Sequence, residues 1–193
     1  MQTSTVGAPA PPSSTRPNNQ AVIVAAAVGG ALALSLGAYG RLHTPTGDTI
    51  WDVGFPSLLA MKSWFTTAAV VLGITQGVSA AWMWGRLPGV GDAPAGLAAV
   101  HRWSGTVAFL FTLPVAYHCL WALGFQDTTT RVLVHSILGC AFYGALATKL
   151  LLLRSERLSG WVLPAAGGLL VAILTGIWLT SSLWFFTTIG FPW

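Results

Sequence analysis

The sequence predicts an all-α, polytopic membrane protein with five transmembrane helices, spans two to five forming a helical bundle and span one lying at its periphery. Three observations lead there. The chain of 193 residues is 54% hydrophobic and 7% charged, with a mean hydropathy of +0.68; soluble domains carry about 25% charged residues. Five windows meet the roughly 20 apolar residues that a bilayer requires: residues 21–40, 64–84, 101–123, 131–153 and 161–186. The tryptophans collect at the window ends, Trp82, Trp84, Trp103 and Trp161 at one set and Trp51, Trp64, Trp121, Trp184 and Trp193 at the other. That is where an amphipathic ring meets lipid headgroups.

Residues 1–20 are rich in Pro, Ser and Thr and poor in apolar bulk, so they read as a disordered tail. Span one is Ala- and Gly-rich and the weakest of the five. A cleaved signal peptide is its rival reading, against which stand a long preceding segment and an apolar run beyond the usual roughly 7–15 residues. Span two carries Gln76 near its middle, a group suited to bonding a neighbouring helix. Span three carries His101 and His118 at its two ends, with Pro114 four residues before the second. Such a proline frees the carbonyl of Leu110 and kinks a helix. Span four carries His135 and Lys149, and span five carries no charged residue.

Orientation follows from the basic residues. Arg16, Arg86, Arg102, Lys149, Arg154 and Arg157 fall on one side, and Arg41, Lys62 and Arg131 on the other. This asymmetry predicts a cytoplasmic N-terminus and an extracytoplasmic C-terminus in a bacterial-type cell membrane. The net charge of +4 reflects few acids rather than basic runs, so nucleic acid is not an expected partner; membrane lipid is.

The connection between spans three and four, GFQDTTTR, is short, and His118 lies as far before its middle as His135 lies after it. At 1.5 Å per residue the two imidazoles share one depth on antiparallel helices. His101 is 17 residues from His118, hence roughly 25 Å away along the axis, at the opposite interface. Lys149 returns to within about 40° of His135 on the helical wheel and is level with His101. His43 falls in a connection and reads as a loop residue.

Ionisable groups at membrane depth suggest a site. Two level histidines suit bis-imidazole ligation of a haem iron, because neutral imidazole binds iron without adding buried charge. His101 and His135 each open an H-x-x-x-G pattern, HRWSG and HSILG, which puts Gly105 and Gly139 one turn on along the same face and leaves room for a flat macrocycle. Helices in ordinary contact are too close for a haem, so spans three and four would have to splay. His118 and His135 are the candidate metal ligands. His101 is a candidate whose partner is open, Met83 and Lys149 being unforced choices. Arg131, Arg41 and Lys62 stand where haem propionates would emerge, and snorkelling explains them equally. The plain alternative is that these histidines bond carbonyls or headgroups and that the small residues are packing seams. Cys119 and Cys140 differ in depth by roughly 9 Å, too far for a disulfide, and read as core thiols. No P-loop, G-x-S-x-G, C-x-x-C-H or H-E-x-x-H motif occurs, and no catalytic residue is nominated.

The segment HRWSG…PVAYHC followed by HSILGCAFYGALATK resembles the cytochrome b561-like and ferric-reductase-like membrane cytochromes, and also bacterial membrane proteins of uncharacterised function. The resemblance covers residues 60–188 at most. It implies haem b, with His118 and His135 as axial ligands. Two-haem relatives use four histidines in two levels, whereas the second level here has His101 alone, so a second haem stays open. One haem near the outer face exchanges electrons on that side, with a quinone or an extracytoplasmic redox partner. The expected role is a b-type electron-transfer subunit, possible component of a membrane oxidoreductase; the alternative is a non-redox subunit for helix packing or partner docking. Oligomeric state is not legible.

Overall fold

The computed structural model describes residues 17–48 and 51–192. Its helices are α1 (Asn19–Leu42), α2 (Leu58–Met83), α3 (Leu97–Tyr117), α4 (Thr130–Leu152), α5 (Val162–Trp178) and the short α6 (Trp184–Thr188). A π-helical turn, His118–Leu123, prolongs α3, and another, Leu179–Leu183, joins α5 to α6. Counted with these turns, five helical rods are long and apolar enough to cross a membrane, and no strand occurs among the described residues. Large apolar side chains such as Leu34, Val71, Ile74, Leu110, Ile137 and Leu169 face outward along all five rods, as expected when the surrounding solvent is lipid.

The rods begin earlier than hydropathy alone suggests where a polar cap starts them. Asn18 accepts from the Ala21 amide at 3.0 Å, so Asn19 and Gln20 of the expected tail belong to α1; residues 1–16 of that tail lie outside the described residues. Ser57 accepts from Ala60 at 3.1 Å and Thr129 from Val132 at 3.3 Å. Each satisfies an amide that a helix start leaves unpaired. α2 therefore gains a full turn ahead of residue 64, one that carries Lys62 and Ser63.

Packing runs α3 on α2, α2 on α5, α5 on α4 and α4 on α1. The α1–α4 seam is a crossing of small residues. A Cβ added to Gly29 would collide with the Gly144 carbonyl and the Thr148 hydroxyl, and one added to Gly144 would strike Gly29 and Ala33. Such spacing lets two backbones approach as larger side chains would not. Thr148 Oγ1 uses the approach to share its proton between the Gly144 carbonyl at 2.9 Å and the Ala25 carbonyl at 3.2 Å. Backbone bonds pin both ends of α1: Asn18 N to Arg157 O at 3.0 Å, and Phe125 N to Gly40 O at 2.7 Å. Span one is therefore an outer layer of the bundle, docked along α4.

α3 and α4 are bridged rather than packed side by side. Tyr143 on α4 donates its hydroxyl to the Thr112 carbonyl at 3.0 Å, while Gly124, Phe125 and Gln126 of the connecting turn close the far end. The space between is a cavity. Beneath it, Phe142, Leu170, Leu174 and Ile177 form a buried core with Ala69 of α2.

Candidate functional site

The cavity lies in the half of the bundle that holds the α3–α4 turn. Its volume is about 170 Å³, close to the ~150 Å³ of an engineered cavity that takes up one benzene ring. Its walls come from every span: Leu36, Lys62 and Thr66, the α3 face running from Thr112 through Cys119 to Leu123, the α4 face from Val132 through His135, Gly139 and Cys140 to Tyr143, and Leu174 with Ile177. Most of that lining is apolar, and none of the five acids of the chain contributes to it. Among the described residues the one ion pair lies elsewhere, between Arg41 and Asp127 at 3.1 Å. Lys62 thus enters the cavity without a carboxylate partner; it and His135 lie within hydrogen-bonding range of the Cys119 thiol. Both cysteines are free.

His135 lines this cavity and His118 does not. The α3 face turned inward carries residues 112, 115, 116, 119, 120 and 123; position 118 points about 100° away from Cys119. The His118 ring is fully buried beside Tyr117 and Trp51, with centroids 5.5 and 6.3 Å away. The two histidines share a level, as their spacing requires, but their rings face different surroundings.

The proton positions follow from the partners. His118 Nδ1 is 2.8 Å from the Pro114 carbonyl, which can only accept. His135 Nδ1 is 3.2 Å from Thr180 Oγ1, whose single proton goes to the Gly176 carbonyl at 2.8 Å. His101 Nδ1 is 2.8 Å from Ser79 Oγ, whose proton goes to the Thr75 carbonyl at 2.6 Å. His118 therefore donates from Nδ1 and keeps a lone pair on Nε2, the arrangement second-shell partners impose on metal-bound or basic histidines; His101 and His135 do the same where Ser79 and Thr180 keep their protons on the helix carbonyls. For His118 that Nε2 is buried with no partner among the described residues. Both ring nitrogens of His43 share that condition, the ring stacking on Tyr39 at 4.9 Å.

The two H-x-x-x-G glycines diverge. Around Gly139 there is open space, and the residue lines the cavity. At Gly105 a Cβ would come within 2.9 Å of Gln76 Oε1. The notch expected to receive a macrocycle is filled by a side chain of α2, which donates to the His101 carbonyl and, at 2.8 Å, to Ser104 Oγ. Gln76 is thus the interhelical bond its position suggested. Lys149 lies near enough to His101 to interact electrostatically, in keeping with their common level, and Met83 is exposed at the end of α2.

Arg131 is committed to its own fold. Its Nη1 donates to the Thr180 carbonyl at 2.6 Å and its guanidinium lies 4.1 Å over the Trp184 ring. Of the three cations nominated for an anionic ligand, Lys62 is the one in the cavity. Both π turns stand at this level, one opening with His118 and the other carrying Thr180; π segments recur at functional sites. Pro114 signals the first in the sequence, and no residue type announces the second. Thr180, Ser79 and Tyr143 were missed for the same reason, being ordinary helix residues until a partner helix is placed beside them.

A haem does not fit this cavity as it stands. The volume suits one ring and a tetrapyrrole is several rings wide, and only one of the two expected axial ligands faces the space.

Fold and site together define a five-span helical membrane protein with a ring-sized cavity flanked by a histidine, a lysine and a free thiol. The chain belongs to a family of unknown function (DUF6529), whose model matches residues 22–193. No curated protein and no solved structure matches it.

Proposed function

We propose that the protein is an electron-transfer subunit of the membrane, holding its redox group on imidazole nitrogen. The observation that supports this is the placement of His118 and His135, each with Nδ1 against an oxygen of a neighbouring turn or helix and Nε2 on the far side of the ring. The orphaned, fully buried Nε2 of His118 adds to it, because an unpaired buried acceptor is destabilising by about 1–3 kcal/mol.

The resemblance to b-type cytochromes implies haem b, one per chain, which His118 and His135 would hold; when bound it would supply one-electron chemistry. This form of the reading requires α3 and α4 to separate and the His118 ring to leave Trp51. The basic-residue asymmetry supports a site near the outer face and an N-terminus in the cytoplasm; on the outer side a quinone or an extracytoplasmic redox partner would exchange electrons.

The test is a reduced-minus-oxidised absorption spectrum of the purified protein, with a pyridine haemochrome assay. One haem per chain, lost in His135→Ala, turned from low to high spin in His118→Ala and retained in His101→Ala, establishes the cytochrome. Protein that stays colourless after expression with ample haem ends the haem form. A second reading, a non-redox subunit for helix packing or docking, is favoured by the Gly29–Gly144 seam and the Gln76 lock, and predicts neither colour nor saturable binding of any redox molecule.

A further inference from the structure

We infer that the α3–α4 cavity, in the shape it has here, is a binding site for the head ring of a quinol or quinone. The inference rests on the electron-transfer reading and replaces haem by a one-ring redox molecule in this particular space.

Size is the first argument. About 170 Å³ between mostly apolar walls suits one substituted ring. Polarity is the second. Lys62 is a pure donor, and the lone pair on His135 Nε2, fixed by the Nδ1 bond to Thr180, is a pure acceptor. A ring recognised by both must offer an oxygen that accepts from an ammonium and a hydroxyl that donates to an imidazole. Quinols meet that demand, and quinones meet its first half. Charge is the third argument: a cation drawn into a mostly apolar cavity with no carboxylate in its lining, and only the Cys119 thiol in reach, is unfavourable, and a hydrogen-bonding oxygen on the ligand relieves this at the Lys62 end. Gly139 then has a definite role, because any larger side chain there would point into the ring's space.

The test uses the full chain in lipid nanodiscs and short-chain ubiquinone-1 as the probe, in oxidised and reduced forms, with binding followed by quenching of tryptophan fluorescence. The expected result is saturable binding of one probe per chain, tighter for the reduced form. Gly139→Leu should abolish binding. Lys62→Met should weaken it roughly tenfold to hundredfold, the range for a charge-assisted hydrogen bond, and Lys62→Arg should restore most of the loss. His101→Ala, outside the cavity, should bind as the wild type does. Quenching that never saturates, or that ignores both Gly139→Leu and Lys62→Met, overturns the inference. If the same preparation carries a haem that depends on His135, the quinone assignment falls while the electron-transfer reading stands. If neither haem nor saturable quinone binding is found, both fall together.

Discussion

The two ends of the bundle use the same short pattern to opposite effect. At one end His101 and Gly105 lie under Gln76, whose amide fills the notch and ties α2 to α3. At the other, His135 and Gly139 line a cavity, because α4 and α3 are held apart by a tyrosine bridge and a turn. A histidine one turn before a glycine is thus not a site by itself. What stands opposite decides whether the missing side chain becomes a packing seat or a cavity wall.

The sharpest way to break this contrast is to remove the two histidines in turn. His135→Ala should lower affinity for the bound redox molecule at least about a hundredfold, since it deletes the one imidazole in the cavity, and His101→Ala should change it less than about twofold. Equal losses in haem content or quinone titration would erase the distinction. The glycines offer a second comparison. Gly105→Leu forces Gln76 from its seat and should destabilise the protein by about 2 kcal/mol, whereas Gly139→Leu projects into a void and should stay within about 0.5 kcal/mol; thermal unfolding in detergent reads both.

Smaller effects sharpen the picture further. Thr180→Val keeps the volume but removes the acceptor that holds the His135 Nδ1 proton, and should weaken ligand binding about tenfold with little change in folding. A Thr180→Val protein that binds normally would show that the ring needs no orienting partner. Gln76→Leu at the closed end should reduce stability by about 0.6 kcal/mol, typical of an interhelical bond in a membrane, and leave binding untouched.

The existence of five spans was legible because a bilayer requires every backbone group to be paired inside a helix, and long apolar runs record that requirement directly. The common depth of His118 and His135 was equally legible, since it depends only on helical rise and a short turn. So was Gln76 as an interhelical bond. Less legible was α1, whose small residues read as weakness until Gly29 is set against Gly144. The direction of His118 was not legible either: facing helices at one level do not imply facing rings.

By itself, then, the sequence determined the number of spans, their antiparallel order and the level of each polar group, because these follow from local helix geometry and transfer to lipid. Tertiary structure alone decided which histidine looks into the cavity, which glycine stays open and which of three cations reaches the cavity. Those outcomes turn on rotation about helix axes and on which side chain from another span arrives first. Residues far apart in the chain, such as Gln76 with Gly105 and His135 with Thr180, settle them by contact.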